Sequence, residues 1–303
     1  MQFLAAYIMK GRLQAMTVAA TLALLSLLFP PASIVSSASV ALVTLRRGAS
    51  EGLYVLLCAC IAAAVLSAVL GVGYQFALLY GAVLWTPVWL ISIVLRVGRN
   101  LAVAIEIAVI LGVIAVLVFY GYQPQPAQVW SQALAVMIQP MLDATPAAPA
   151  EQIKQSAQVF AHFMTGAIAA GTVYGLLFGL FLARWWQALL YNPGGFRAEF
   201  LALRGHKQLG LASLAVLAAA GLASGAVAEV CWNVVVVVFV LYTFIGTAVL
   251  HASFAVAKSA RFMVPLLYIT LLLIPHVMVV IALCGLLDTW LDLRNKISNQ
   301  TTV

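Results

Sequence analysis

Residues 101–121 read LAVAIEIAVILGVIAVLVFYG and contain one charged residue, Glu106. A helix needs about 20 apolar residues to cross the hydrocarbon core of a bilayer. This stretch meets the requirement, and six further stretches along the chain come close to it or exceed it. They are residues 53–71, 74–95, 158–183, 208–228, 231–257 and 263–287. We therefore predict an all-α fold, a polytopic transmembrane helical bundle.

The composition supports the same class. The 303 residues are 65% hydrophobic and 8% charged, whereas soluble domains carry roughly 25% charged residues. A single integral membrane domain, 1–303, with the lipid bilayer as its main partner is therefore predicted. The net charge of +7 is spread between apolar segments, so it makes no basic stripe of the kind that binds nucleic acid.

Two shorter apolar stretches, 16–29 and 32–45, precede these spans and are separated by Pro30 and Pro31. Each could reach only roughly 21 Å as a helix. They form either two thin spans or a re-entrant hairpin buried against protein. With this Pro-broken hairpin, the predicted number of spans is about eight or nine.

The positive charges predict the orientation, because cytoplasmic loops carry an excess of Lys and Arg. A cytoplasmic N-terminus leaves only Lys154, Arg294 and Lys296 of the 15 basic residues on the outside. The other twelve lie on the cytoplasmic side: Lys10, Arg12, Arg46, Arg47, Arg96, Arg99, Arg184, Arg197, Arg204, Lys207, Lys258 and Arg261.

Three segments are predicted to lie outside the spans. Residues 1–15 form an interfacial helix, because their apolar side chains share one helical face. Residues 122–157 are an outer loop rich in Pro and Ala, which is either a short helix or a flexible linker.

Residues 184–207 are a cytoplasmic amphipathic loop, which serves either as a membrane anchor or as a docking surface for a partner. The tryptophans of this loop are expected at the level of the lipid headgroups. Its candidate interface residues are Trp185, Trp186, Asn192, Pro193, Gly194, Phe196, Arg197, Phe200 and Arg204.

Gly171, Gly175 and Gly179 recur every four residues in one span. Such spacing leaves a groove that lets another helix approach closely. We predict a helix-packing face here, used either within the chain or in a homodimer. Gly221 and Gly225 repeat the spacing in the next span.

Ionisable residues inside spans are costly, which makes them candidates for function. Glu106 and His251 lie at similar depth and could relay protons or hold a polar ligand. Alternatively, Glu106 pairs with Arg96 or Arg99, or its side chain extends to the membrane interface. His276 follows Pro275 in mid-span, where a kinked helix offers either a polar pocket or a structural histidine.

A second polar group is expected near the outer face. The candidates for an outward-facing small-molecule pocket are His162, Glu229, Trp232 and Asn233, with Tyr74, Gln75 and Tyr122 at comparable depth. Aromatic residues with a few polar groups suit such a pocket, but they also form ordinary aromatic belts.

Catalytic motifs are missing from the sequence, which contains no H-E-x-x-H, G-x-S-x-G or P-loop pattern. Cys58 and Cys60 are two residues apart on one helix and make a poor metal clip. We therefore predict no enzymatic activity, no cofactor and no metal site.

The run Arg184 to Phe196, RWWQALLYNPGGF, and the turn Leu45-Arg46-Arg47-Gly48 resemble the YybS-like family of bacterial multi-pass inner-membrane proteins. That family is distantly similar to the S components of energy-coupling-factor vitamin transporters. The resemblance implies a ligand pocket near the outer face and a cytoplasmic contact with a coupling module. S components have about six spans, however, and their small-residue contact motif is matched only loosely, by Ala15, Ala19 and Ala23.

Two functions follow from these observations. The split short spans and the polar residues at membrane depth favour a small-molecule transporter component or permease. The amphipathic loop 184–207 and the scarcity of buried charge favour a non-transporting membrane scaffold or assembly factor.

Overall fold

A computed structural model describes residues 2–144, 147–257 and 259–294, and these residues contain helices but no strands. Lys258 and Lys296, two of the residues used to predict the orientation, lie outside this range. A π-helical segment at Gly81–Trp85 connects the helix that ends at Tyr80 to the helix that begins at Thr86. The helices are α1 (Gln2–Lys10), α2 (Arg12–Leu25), α3 (Ala32–Arg47), α4 (Ala49–Val69), α5 (Gln75–Tyr80), α6 (Thr86–Gly98), α7 (Leu101–Tyr122), α8 (Pro126–Asp143), α9 (Ala147–Ala161), α10 (Met164–Tyr191), α11 (Gly195–Leu201), α12 (Lys207–Leu222), α13 (Gly225–Val256), α14 (Ala260–Leu273) and α15 (Val277–Leu291).

Five helical segments in the described part of the chain are long and apolar enough to cross a membrane. They match five of the predicted spans to within a few residues at most ends. The all-helical class is therefore confirmed and the five segments are compatible with a membrane protein, whereas the predicted count of eight or nine spans is not confirmed. The five segments are Ala49–Val69, Gln75–Gly98, Leu101–Tyr122, Met164–Tyr191 and Gly225–Val256.

Two other predicted spans are shorter or interrupted. The stretch 208–228 is helical only to Leu222, and Gly225 begins the next helix with a φ of +61°. The stretch 263–287 is broken at 274–276, around Pro275, which lacks an amide hydrogen to continue the helix. The resulting helices have 14 to 16 residues, or roughly 21–24 Å, which is less than the bilayer core.

The side chains of α4 are distributed as expected for a helix that contacts lipid on one face and protein on the other. Leu57, Ile61 and Val65 recur on one face and are 53–65% exposed. The small residues Ala59 and Ala63 are fully buried on the opposite face. Large apolar residues outside and small residues inside are what a membrane helix requires, because lipid solvates the former and close packing needs the latter.

The N-terminal stretch folds as the helical pair α2 and α3, which pack against each other and against α4. Ala15, Ala19 and Ala23 are all fully buried, and the Ser36 hydroxyl donates to the Ala19 carbonyl at 2.7 Å. These alanines therefore serve packing inside the protein and are not available to contact a coupling module. The predicted interfacial helix is also shorter than residues 1–15, since α1 ends at Lys10 and α2 starts at Arg12.

Most of the described residues in 122–157 are helical. This segment contains α8 and most of α9, which pack against each other. Val136 and Met137 are 77% and 75% exposed, so one side of α8 presents apolar side chains to the surroundings.

The chain divides into two compact units, and each is described separately below. Residues of α7, α10 and α13 belong in part to each unit, so neither unit is a continuous segment. The first unit comprises Met1–Ala108, Thr172–Arg204 and Ala248–Ala260, and the second comprises Val109–Gly171, Gly205–Thr247 and Arg261–Val303.

Only one of the three predicted packing glycines in α10 makes a close helix contact. A Cβ at Gly179 would lie 2.9 Å from the Ser37 Cβ on α3, whereas one at Gly171 or Gly175 would meet nothing within 4 Å. A Cβ at Gly221 or Gly225 would likewise meet nothing within 4 Å. Gly179 therefore packs closely against α3, whereas the use of Gly171 and Gly175 stays a prediction.

This contrast can be tested by stability. Gly179→Val should lower the unfolding free energy by about 1–3 kcal/mol, because α10 and α3 must separate to admit the side chain. Gly175→Val on the same helix is the matched control and should leave the protein close to wild type. Thermal unfolding of the detergent-purified protein measures both, and equal losses for the two variants would contradict the assigned contact.

Candidate functional site

Three residues predicted to lie near the outer face meet in the second unit. Glu229 is in the first turns of α13, Asn233 is one turn further along, and His162 lies between α9 and α10. Tyr120, near the end of α7, joins them. We call Tyr120, His162, Glu229 and Asn233 the polar network.

Asn233 is the centre of the polar network and is fully buried. Its amide oxygen accepts from the Gly166 backbone N–H at 2.5 Å. Because that N–H can only donate, it fixes which end of the amide is oxygen. The amide nitrogen then faces the Tyr120 hydroxyl at 3.0 Å and the carbonyls of His162 and Glu229 at 2.7 and 2.8 Å.

The hydrogen bond from Gly166 also satisfies a backbone N–H at the N-terminus of α10. The first four N–H groups of a helix have no partner within it, and Gly166 is in the first turn of α10. A Cβ at this glycine would lie 2.5 Å from the Asn233 carbonyl oxygen. The close approach of α10 to α13 therefore requires glycine at position 166. This approach lets the Asn233 side chain on α13 reach a backbone N–H in the first turn of α10.

Glu229 is held by both of its carboxylate oxygens. Tyr120 donates its hydroxyl proton to one oxygen at 2.8 Å, and His162 Nδ1 lies 2.7 Å from the other. The Glu229 side chain is 20% exposed and that of His162 is 56% exposed. The pair thus connects a largely shielded acid to a histidine that the surroundings can reach.

An adjoining hydrogen bond extends the site to α8. The Trp130 indole N–H donates to the Thr165 hydroxyl at 2.8 Å, and the Trp130 ring lies 5.7 Å from the Phe119 ring. The polar network and this contact together connect α7, α8, α10 and α13 within the second unit.

The structure also shows which aromatic residues belong to the site. Tyr120 supplies the hydroxyl, whereas Tyr122 is 85% exposed and takes no part in the network. Trp232 is 38% exposed and packs edge-on to Phe163. The sequence analysis selected Tyr122 by its position along α7. Tyr120, two residues earlier, lies on the side of α7 that faces Glu229.

A separate apolar cavity of about 210 Å³ lies among α12, α13 and α15 of the second unit. Ser213 and Tyr242 line it and share a hydrogen bond of 2.8 Å between their hydroxyls. The remaining lining is aliphatic apart from Phe239. A cavity of this kind suits an apolar small molecule more than a charged one.

The other predicted intramembrane candidates have different surroundings. Glu106 is buried in α7, but neither Arg96 nor Arg99 forms an ion pair with it within the described part of the chain. The His251 ring lies 5.8 Å from the Phe200 ring in an edge-on arrangement. The proposed Glu106–His251 relay stays a prediction.

The choice between a polar pocket and a structural histidine at His276 stays a prediction. This residue is exposed in the turn between α14 and α15, where the Val277 N–H donates to the Ile274 carbonyl at 3.0 Å. The helix break at Pro275 lies where the sequence predicted a kink, and it leaves His276 exposed.

The candidate interface of 184–207 is partly buried. Phe196 and Phe200 lie 5.8 and 6.0 Å from the Phe181 ring of their own chain, so the apolar face of α11 covers α10. Trp186 is fully buried, which differs from the headgroup position expected for it, whereas Trp185 is 40% exposed. The exposed members of the set also include Asn192, Pro193, Gly194, Arg197 and Arg204.

The chemistry available at the polar network is proton exchange and hydrogen bonding. His162 Nε2 makes no hydrogen bond within the described part of the chain, so a ligand or water can reach it. No group of three His, Cys, Asp or Glu side chains in that same part of the chain is arranged to hold a metal ion.

The role of Asn233 can be tested directly. Asn233→Ala removes the amide and leaves the Gly166 N–H and the other partners unsatisfied, so it should lower the unfolding free energy by about 1–3 kcal/mol. Gln208→Ala, at an exposed position of α12, should change it little. Thermal unfolding of the purified protein compares them, and indistinguishable melting temperatures would rule out a structural role for the network.

Comparisons with protein-family models, curated proteins and solved structures find no match to this chain. The resemblance to the YybS-like family therefore stays a prediction, based on the residues of two turns.

Proposed function

We propose that this protein is a small-molecule transporter component of the bacterial inner membrane, with the polar network as its ligand-responsive site. The observation that carries the proposal is the His162–Glu229 pair, in which a largely shielded carboxylate contacts a reachable histidine at 2.7 Å. Ionisable residues that face the interior of a membrane protein are candidates for function, because burying them is costly.

The connections of the pair support a responsive role. A ligand that binds His162 Nε2, or a proton taken up there, changes the charge beside Glu229. The same carboxylate accepts from Tyr120 on α7, and the backbone of Glu229 contacts Asn233, which holds the first turn of α10. Binding can therefore favour one arrangement of three helices over another, which a transporter component requires.

The apolar cavity beside Ser213 and Tyr242 supports a ligand that is partly apolar. It belongs to the same unit as the polar network. A small molecule with an apolar body and a hydrogen-bonding group is the ligand class that these two features favour.

The alternative function, a scaffold that docks partners through 184–207, has less support. Phe196 and Phe200, the apolar residues expected to bind a partner, already contact Phe181. A docking partner would have to rely on Trp185 and on polar residues of the turn.

The proposal includes a cytoplasmic N-terminus, supported by the distribution of basic residues. Green fluorescent protein joined after Arg47 should therefore fluoresce, and alkaline phosphatase joined there should be inactive. Both results should reverse for fusions after Gln139. The opposite pattern at the two positions would invert the proposed topology.

Ligand binding can be tested by thermal stability against a broad metabolite panel. At least one compound should raise the melting temperature of the wild type, because a ligand that prefers the folded state stabilises it. Glu229→Gln keeps the approximate shape of the side chain but loses its charge, and it should reduce that shift severalfold. Glu151→Gln, at an exposed acid of α9, is the matched control and should retain it.

Two outcomes would count against the transporter proposal. A melting temperature that no compound in the panel changes would remove the evidence for a ligand. A shift that persists unchanged in Glu229→Gln would place the ligand away from the polar network.

A further inference from the structure

A second cavity, of about 360 Å³, lies within the first unit at the ends of α3 and α6, beside α10 and α11. Its lining includes three guanidinium groups and one carboxylate, an excess of two positive charges. We call it the basic cavity. The charged and polar side chains that line it are those of Arg96, Arg99, Arg184, Gln187 and Glu199, and Leu45 also lines it.

Glu199, the carboxylate of the basic cavity, accepts hydrogen bonds from Arg184 on both of its oxygens. Arg184 Nε donates to one oxygen of Glu199 at 2.8 Å, and its NH2 group donates to the other oxygen. The NH1 group of Arg184 donates to the Gln187 side-chain oxygen at 2.7 Å. Glu199 therefore fixes Arg184 in place, and its single negative charge cannot neutralise all three arginines of the cavity.

Arg96 is held by a backbone carbonyl instead of an acid. Its NH1 group donates to the Leu45 carbonyl at 2.6 Å, and the Gln187 amide approaches the same oxygen at 3.5 Å. The partial negative charge at the end of α3 is thus satisfied by these donors, while Arg96 forms no ion pair with a carboxylate among the described residues.

Arg99 is the third arginine of the basic cavity. It ends α6 in the left-handed region, with a φ of +49°, and its side chain is exposed. Within the described part of the chain it makes neither an ion pair nor a side-chain hydrogen bond. In that part of the chain, neither Arg96 nor Arg99 forms an ion pair with a carboxylate, and Glu199, the acid that lines the cavity, is bound to Arg184.

We propose that the basic cavity binds a phosphate group, carried either by an anionic lipid headgroup or by a soluble phosphate. The planar guanidinium group matches phosphate oxygens with paired N–H donors. An excess of two positive charges suits a phosphate, which carries between one and two negative charges near neutral pH. The volume lies in the range of small-molecule sites. Hydrogen bonds hold Arg96 and Arg184 in place before the ligand arrives, whereas Arg99 contributes an exposed side chain without such bonds in the described residues.

The experiment uses the full chain and two probes. Inorganic phosphate is titrated against the detergent-purified protein at constant ionic strength, with the melting temperature as the readout. In parallel, the protein is placed in nanodiscs of phosphatidylcholine with and without phosphatidylglycerol, and native mass spectrometry identifies the lipid it retains. A response to inorganic phosphate identifies a soluble phosphate, and selective retention of phosphatidylglycerol alone identifies a headgroup.

Arg99→Gln is the test variant, because its exposed side chain makes no hydrogen bond or ion pair in the described part of the chain. It should weaken the response to the effective probe roughly tenfold, equivalent to about 1.4 kcal/mol. Arg197→Gln is the matched control: it removes the same charge from exposed α11, outside the basic cavity, and should retain wild-type binding.

The proposal is overturned if neither probe binds selectively to the wild type. It is also overturned if Arg197→Gln loses as much binding as Arg99→Gln, since the effect would then reflect net charge alone. The melting temperatures of both variants without probe verify that each is folded.

Discussion

Hydrocarbon offers no hydrogen bonds, so a polar group that this chain carries into its interior is costly unless it finds a partner within the protein. Asn233 shows this constraint most fully, since one buried amide contacts a helix N-terminus, two carbonyls and the Tyr120 hydroxyl. The packing of α7, α10 and α13 around it follows from these contacts. Where polar residues are so few, each one determines the position of several helices.

The same constraint operates in the first unit with charged donors. The turn that contains Leu45 and the run that begins at Arg184 are far apart in sequence, yet Gln187 and Arg96 both approach the Leu45 carbonyl. Gly48 ends α3 with a φ of +112°, and Gly194 precedes α11 with a φ of +85°. Both glycines permit turns that other residues rarely adopt, and these turns bring the two runs together.

The positions of the long spans could be predicted because apolar length is a local property of the sequence. The break at Pro275 could be located for the same reason, since proline acts on its own helix. The surroundings of His276 could not be predicted, because they depend on how α14 and α15 pack. The three glycines of α10 look equivalent in sequence, but only Gly179 faces α3 closely.

The sequence alone determined the class of this protein, because an apolar content this high excludes water as its main solvent. It also placed His162, Glu229 and Asn233 at similar depth. The tertiary structure decided that these three meet with Tyr120 rather than Tyr122, and that Trp186 is buried while Trp185 is exposed. The physical reason is rotational: depth follows from counting residues along a helix, whereas contacts depend on which face each helix turns toward its neighbours.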